Sequence, residues 1–148
     1  MNLTLGHRPK WKQIPAMADD YDIVVVLLKD SEGVQTMLTK YREAGLIPLH
    51  VPFTVKELIK SPDEECAEVR KMVASIAKLL IFTDCRVFVH CSAGIHRTGC
   101  FAYAVLRCLG LDPQEAVEVI RELRPVTATG FLPFRQWAED NLLPRGGE

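Results

Sequence analysis

The chain has 148 residues, 48% of them hydrophobic and 25% charged, which suits one soluble domain with a proper buried core. A formal net charge of −1 argues against a general nucleic-acid or membrane-surface binder, which would be strongly basic. The longest apolar run, Ile23 to Leu28, falls far short of the ~20 residues of a membrane span, and the opening MNLTLGHRPK lacks the apolar stretch of a secretory signal.

In chain order, Asp22 to Leu28 (DIVVVLL) is a β-branched run without alternation, as expected of a strand buried on both faces. Ser31 to Tyr41 reads as a short helix closing near Gly45. Leu46 to Phe53 (LIPLHVPF) is a second strand, which Pro48 and Pro52 push toward a sheet edge; His50 is then an edge-strand residue. Ser61 as N-cap, Pro62 at N1 and the acids Asp63, Glu64 and Glu65 mark a helix start. Cys66, Val69, Val73, Ile76 and Leu80 continue it with one core-facing stripe.

Arg86 to His90 (RVFVH) is a third strand. Thr98 to Leu109, apolar on all sides except at Arg107, is expected to be a central buried helix ended by Gly110. Asp112, Pro113 and Glu115 start another helix, which reaches about Leu123, and a last one covers Leu132 to Leu142. Strands alternating with helices predict a single α/β domain with a mostly parallel central sheet flanked by helices on both faces. The five cysteines are odd in number and form no CxxC pair, so they read as reduced thiols of a cytoplasmic protein, with no disulfide framework and no metal site.

The chemistry concentrates in His90 to Gly99, HCSAGIHRTG, between a strand and a helix, where open α/β sheets bind ligands. The small residues Ser92, Ala93 and Gly94 let successive backbone N–H groups turn inward as an anion nest. The N-terminus of the following helix adds its positive dipole end. Arg97, six residues after Cys91, offers a planar fork for two phosphate oxygens. The groups that would hold phosphate would also stabilise a Cys91 thiolate, pairing a nucleophile with an oxyanion cradle.

This string resembles the HCxxGxxR[ST]G signature of protein-tyrosine and dual-specificity phosphatases, with His90, Cys91, Gly94, Arg97, Thr98 and Gly99 all matching. Weaker likeness extends to Asp22–Leu28, LHVPF and EAVEVIRELRP, and the short length resembles the small dual-specificity branch. The resemblance implies a dual-specificity-phosphatase-like fold and hydrolysis of phosphate monoesters through a cysteinyl-phosphate, without cofactor. It implies that Cys91 is the nucleophile, Arg97 the phosphoryl clamp and Thr98 an aid to thiolate departure. It places Ser92, Ala93, Gly94, Ile95 and His96 with Arg97 around substrate and His90 behind the cysteine. Thr127 to Gly130 falls near where relatives position the attacking water.

The family's general acid is an aspartate a few residues after a segment like VPF, but here Thr54, Val55, Lys56 and Glu57 follow Phe53. The candidates are Asp63, 28 residues before Cys91, and Glu57, Glu64 and Glu65, or no dedicated acid. Phosphotyrosine in proteins, with phosphoserine and phosphothreonine as further possibilities, is the expected substrate. An inositol phosphate or phosphoinositide is the alternative, which the lack of lysines at Ser92, Ala93 and Ile95 disfavours. A catalytically weak phosphate-binding module is the alternative of another class.

Overall fold

The computed structural model describes residues 1–53, 55 and 63–148, with side chains in the last segment from Cys66 onward. Among the described residues, four strands, β1 (Leu3–Gly6), β2 (Ile23–Val26), β3 (Ile47–His50) and β4 (Val87–His90), form one sheet. Their order is β1-β4-β2-β3 and every pairing is parallel. The inner strands β2 and β4 are buried at all four positions, whereas the outer strands are only partly covered. This explains the unbroken IVVV run: a strand covered on both faces has no solvent side on which to place polar residues. Pro48 lies on the outermost strand, where its missing N–H interrupts no ladder, so the edge expected for 46–53 is found over a shorter span.

The helices are α1 (Ile14–Met17), α2 (Val34–Glu43), α3 (Asp63–Phe82), α4 (His96–Cys108), α5 (Pro113–Leu123), α6 (Pro125–Phe131) and α7 (Arg135–Asn141). One core, containing Val24, Val26, Met37 and Tyr41, lies between the sheet and α1 and α2. A larger one on the opposite face is centred on α4, where Thr98 through Leu106 are all buried. Arg107, the polar exception expected in the apolar run of α4, bonds through Nε to Glu139 at 2.8 Å. Among the described residues, no helix is long and apolar enough to cross a membrane.

Three local expectations need correction. The helix expected from Ser31 begins at Val34, because Asp30–Glu32 form a 3-10 turn and Gly33 takes a left-handed φ of 73° that breaks the helical path. The helix expected over 132–142 is found as a 3-10 turn at Leu132–Phe134 followed by α7, and α6 before it was not foreseen. Pro125 starts one segment and Pro133 sits in the turn, where a missing N–H is tolerated. Strand β1 was not expected; its only signal is Leu3 and Leu5 alternating with half-exposed neighbours. The proposed cap at Ser61 and Pro62 lies outside the described residues, although α3 runs on from Asp63.

Candidate active site

Parallel register places Gly6, His90, Val26 and His50 in one row across the carboxyl end of the sheet. The segments leaving that row therefore meet: Arg8 after β1, Cys91 after β4, Leu27 to Glu32 after β2 and Phe53 after β3. The Arg8 N–H donates to the Ser92 carbonyl at 2.8 Å, and the Leu27 N–H to the His90 carbonyl at 2.9 Å. The Cys91 loop is thus tied down on both sides before its own side chains contribute.

Cys91 is 3% exposed. Its Sγ accepts from the Thr98 hydroxyl at 3.1 Å and from the Gly94 N–H at 3.3 Å. Two donors aimed at sulfur suit an electron-rich thiolate. Gly94 has φ 73°, and a Cβ there would lie 2.1 Å from the Gly6 carbonyl oxygen, so no other residue fits this corner. The Gly94 carbonyl faces away from the cysteine. It accepts from the Thr127 hydroxyl at 2.5 Å and from Arg124 Nη1 at 2.6 Å, and the same Nη1 reaches the Ala93 carbonyl at 3.1 Å. Turning these carbonyls outward is what leaves N–H groups on the inner side of the loop.

Arg97 stands at the first turn of α4, held by a bidentate pair with Glu32: Nη1 to Oε1 at 2.7 Å and Nη2 to Oε2 at 3.2 Å. Nη1 also donates to the Leu27 carbonyl at 3.1 Å. The hydrogen bond from Arg97 holds the Glu32 carboxyl below the usual range, against a smaller opposing effect of burial. Glu32 is not singled out by the sequence because it falls in the stretch from Ser31 that reads as the start of a helix. Its one signal is position: it follows a strand that ends level with His90.

His90 is fully buried, and its Nδ1 lies 2.9 Å from the Cys91 carbonyl, which can only accept. Nδ1 therefore carries the proton, and Nε2 accepts from the Tyr41 hydroxyl at 2.7 Å. Burial pushes the His90 pKa down to about 4, outweighing the Cys91 hydrogen bond, with Arg8, His7 and Arg97 adding repulsion. The imidazole is a neutral strut between α2 and the Cys91 backbone. Tyr41, whose phenol burial pushes up, stays a donor. It was invisible in the sequence because it lies 49 residues from His90 on a different element.

The remaining expected residues separate. Ser92 and Ala93 are exposed and line the loop through their backbone. Ile95 caps α4 and fills the space over Gly130, where a Cβ would meet its Cγ2 at 2.1 Å. The exposed His96 ring turns outward against Phe134, centroids 5.0 Å apart. Within Thr127 to Gly130, Thr127 and Gly130 support the loop. His50 Nε2 lies 2.6 Å from the Leu28 carbonyl. Glu57 and the side chains of Asp63, Glu64 and Glu65 lie outside the described residues. Among the described residues no cluster of His, Cys, Asp and Glu could hold a metal.

An α/β sheet with a cysteine and arginine loop at its carboxyl end defines a class of cysteine-dependent phosphatases, and comparison makes the assignment definite. The chain matches the tyrosine phosphatase family over residues 9–118 and belongs to it. It is a cysteine-dependent phosphatase. Among solved structures it resembles Tk-PTP in its active form, with 22% identity and a TM-score of 0.67, covering 93% of this chain and 92% of that one. PTPMT1 is similar at 21% identity and a TM-score of 0.63, over 94% and 92% of the two chains. A variant of P. aeruginosa TpbA in complex with phosphotyrosine is similar at 20% identity and a TM-score of 0.62, over 99% and 80%. A search of curated protein sequences finds no significant match.

Proposed function

We propose that this chain, as a single cytoplasmic domain, hydrolyses phosphotyrosine in proteins with Cys91 as nucleophile. The observation that carries this reading is the Cys91 sulfur, which accepts from Thr98 and Gly94 beside the Glu32-anchored fork of Arg97. Cys91 Sγ attacks phosphorus, and the bond from phosphorus to the tyrosine oxygen breaks while Arg97 and the loop N–H groups take the phosphoryl charge. The leaving oxygen takes a proton from a carboxylic acid, for which Asp63 is the choice and Glu57, Glu64 and Glu65 the rivals. Water then attacks the cysteinyl-phosphate, inorganic phosphate departs, and the Thr98 hydroxyl stabilises the returning thiolate. A bound phosphotyrosine in one similar structure supports the substrate class. Exposed Ala93 and half-buried Ile95, in place of lysines, speak against the several phosphates of an inositol substrate.

Two variants test the mechanism together. Cys91→Ser is expected to lose turnover yet still bind vanadate, because the loop N–H groups and Arg97 remain; turnover near wild type sinks the reading. Asp63→Asn is expected to lose roughly 10²- to 10⁴-fold on phosphopeptides and far less on an aryl phosphate whose phenol departs unaided. Equal loss on both substrates transfers the acid role to Glu57, Glu64 or Glu65. A panel of phosphotyrosyl, phosphoseryl and phosphothreonyl peptides and inositol phosphates fixes the substrate class. Preference for the inositol phosphates would overturn the protein-substrate assignment.

A further inference from the structure

We propose that a cavity beside β1, behind the Cys91 loop, binds a small aromatic monocarboxylate and transmits its occupancy to that loop. On the face covered by α1 and α2, the sheet next to β1 is left open. There a cavity of about 380 Å³ is lined by residues that include Thr4, Gly6, His7, Tyr21, Phe88 and Arg124. That volume lies within the range of about 300–1,000 Å³ typical of small-molecule sites.

The lining sets the chemistry of the ligand. Tyr21 and Phe88 make an aromatic wall, their centroids 5.0 Å apart and planes tilted by 39°. Phe88 can lie flat over β1 because position 6 has no side chain: a Cβ there would meet its Cζ at 2.6 Å. Arg124 supplies the charge. Its Nη1 is bound to Ala93, Gly94 and Thr127, but among the described residues its Nη2 and Nε have no hydrogen-bond partner. A half-engaged guanidinium edge beside an aromatic wall matches a flat apolar body carrying one planar anion. A dianionic phosphate monoester would set its second charge against Phe88 and Tyr21, at a desolvation cost one guanidinium does not offset.

Two contacts join the cavity to the nucleophile. Arg124 holds the Ala93 and Gly94 carbonyls, which keep the loop N–H groups inward. Phe88 lies 5.7 Å from the His90 ring, whose Nδ1 supports the Cys91 carbonyl. A carboxylate on Nη2 and Nε draws the guanidinium toward the cavity and slackens its grip on the loop carbonyls, so occupancy lowers turnover without competing with substrate.

The test uses naphthalene-2-carboxylate on the intact chain, with binding read by ligand-observed NMR in saturating vanadate so that the Cys91 loop is already filled. Binding is expected to persist under vanadate. The neutral naphthalene-2-carboxamide is expected to bind about ten-fold more weakly, the value of one charge-assisted contact. Thr4→Trp fills the cavity from a half-exposed strand position; it is expected to abolish binding while leaving aryl phosphate turnover within about two-fold. On wild type, the carboxylate is expected to lower kcat about five-fold, an effect absent in Thr4→Trp. Loss of binding under vanadate would show that the probe merely enters the Cys91 loop and overturns the proposal. Equal binding of the amide, which needs no variant to fold, overturns it too, as does undiminished binding to Thr4→Trp. Because binding is read without turnover, its failure is distinct from failure of the phosphotyrosine assignment.

Discussion

Arg97 can serve as a phosphoryl clamp only if its fork is aimed before substrate arrives, and Glu32 does the aiming. The side chains are 14% and 25% exposed, so water competes poorly for this pair. Glutamine at position 32 keeps one acceptor but turns an NH₂ group toward an Arg97 N–H, donor against donor. Losing one charge-assisted hydrogen bond of about 1.5–3 kcal/mol leaves the guanidinium free to swing. Glu32→Gln is therefore expected to lower kcat/KM on an aryl phosphate by about 10- to 100-fold, with vanadate bound correspondingly less tightly. Turnover and vanadate inhibition measured on one preparation check this; unchanged values would mean that the Leu27 carbonyl, 3.1 Å from Nη1, suffices to hold the fork.

Between elements, the Cys91 loop is shaped by what presses on it from behind. Gly130 of α6 admits Ile95, and Gly94 admits the end of β1, each with room for no Cβ. The obstacles differ: at Gly130 it is an Ile95 side-chain atom that can rotate away, whereas at Gly94 it is the Gly6 backbone carbonyl, at a φ of 73°. Gly130→Ala is expected to lower Tm by about 4 °C and raise KM for an aryl phosphate as Ile95 moves. Gly94→Ala is expected to cost more in both, because backbone cannot yield and the left-handed conformation adds about 1–2 kcal/mol. Thermal unfolding and steady-state kinetics of the two variants decide it, and a reversed order would show that the Gly6 carbonyl is not fixed. The same contrast explains what the sequence made legible. Cys91, Gly94, Arg97 and Thr98 are readable because the proposed phosphate cradle, a strand-to-helix turn, is contiguous in sequence. Glu32, Tyr41, Arg124 and Thr127 reach that loop from other elements, and no local periodicity reports which strand ends lie level with it.

At the scale of the whole molecule, the IVVV and VFVH runs announce the two inner strands. The alternating four residues of β1 carry too short a pattern to announce the outer one. The inner position of β4 also sets how the fold responds to acid, since it buries His90. In the unfolded chain that imidazole titrates near its ordinary value of 6.5, and in the folded one burial lowers the pKa to about 4. Between those values the unfolded state binds the extra proton, so stability is full above about 6.5 and falls as pH drops toward about 4. The slope approaches about 1.4 kcal/mol per pH unit where only the unfolded chain is protonated. The carboxylates act lower. Glu32 and Glu139, each held down first by a hydrogen bond from arginine, contribute stability above 4.5 that is lost as pH falls through their depressed values. Among the described residues, the upper part of the acid limb thus belongs to His90. Urea unfolding of wild type from about pH 7 to about pH 5 is expected to show stability that falls once pH drops below the ordinary histidine value of 6.5. His90→Asn, which retains a donor for the Cys91 carbonyl but has nothing to protonate, is expected to be less stable at the upper end and nearly flat across the range. The two curves should converge as pH falls; if they run parallel, His90 is not the group that is buried neutral at the cost of acid stability.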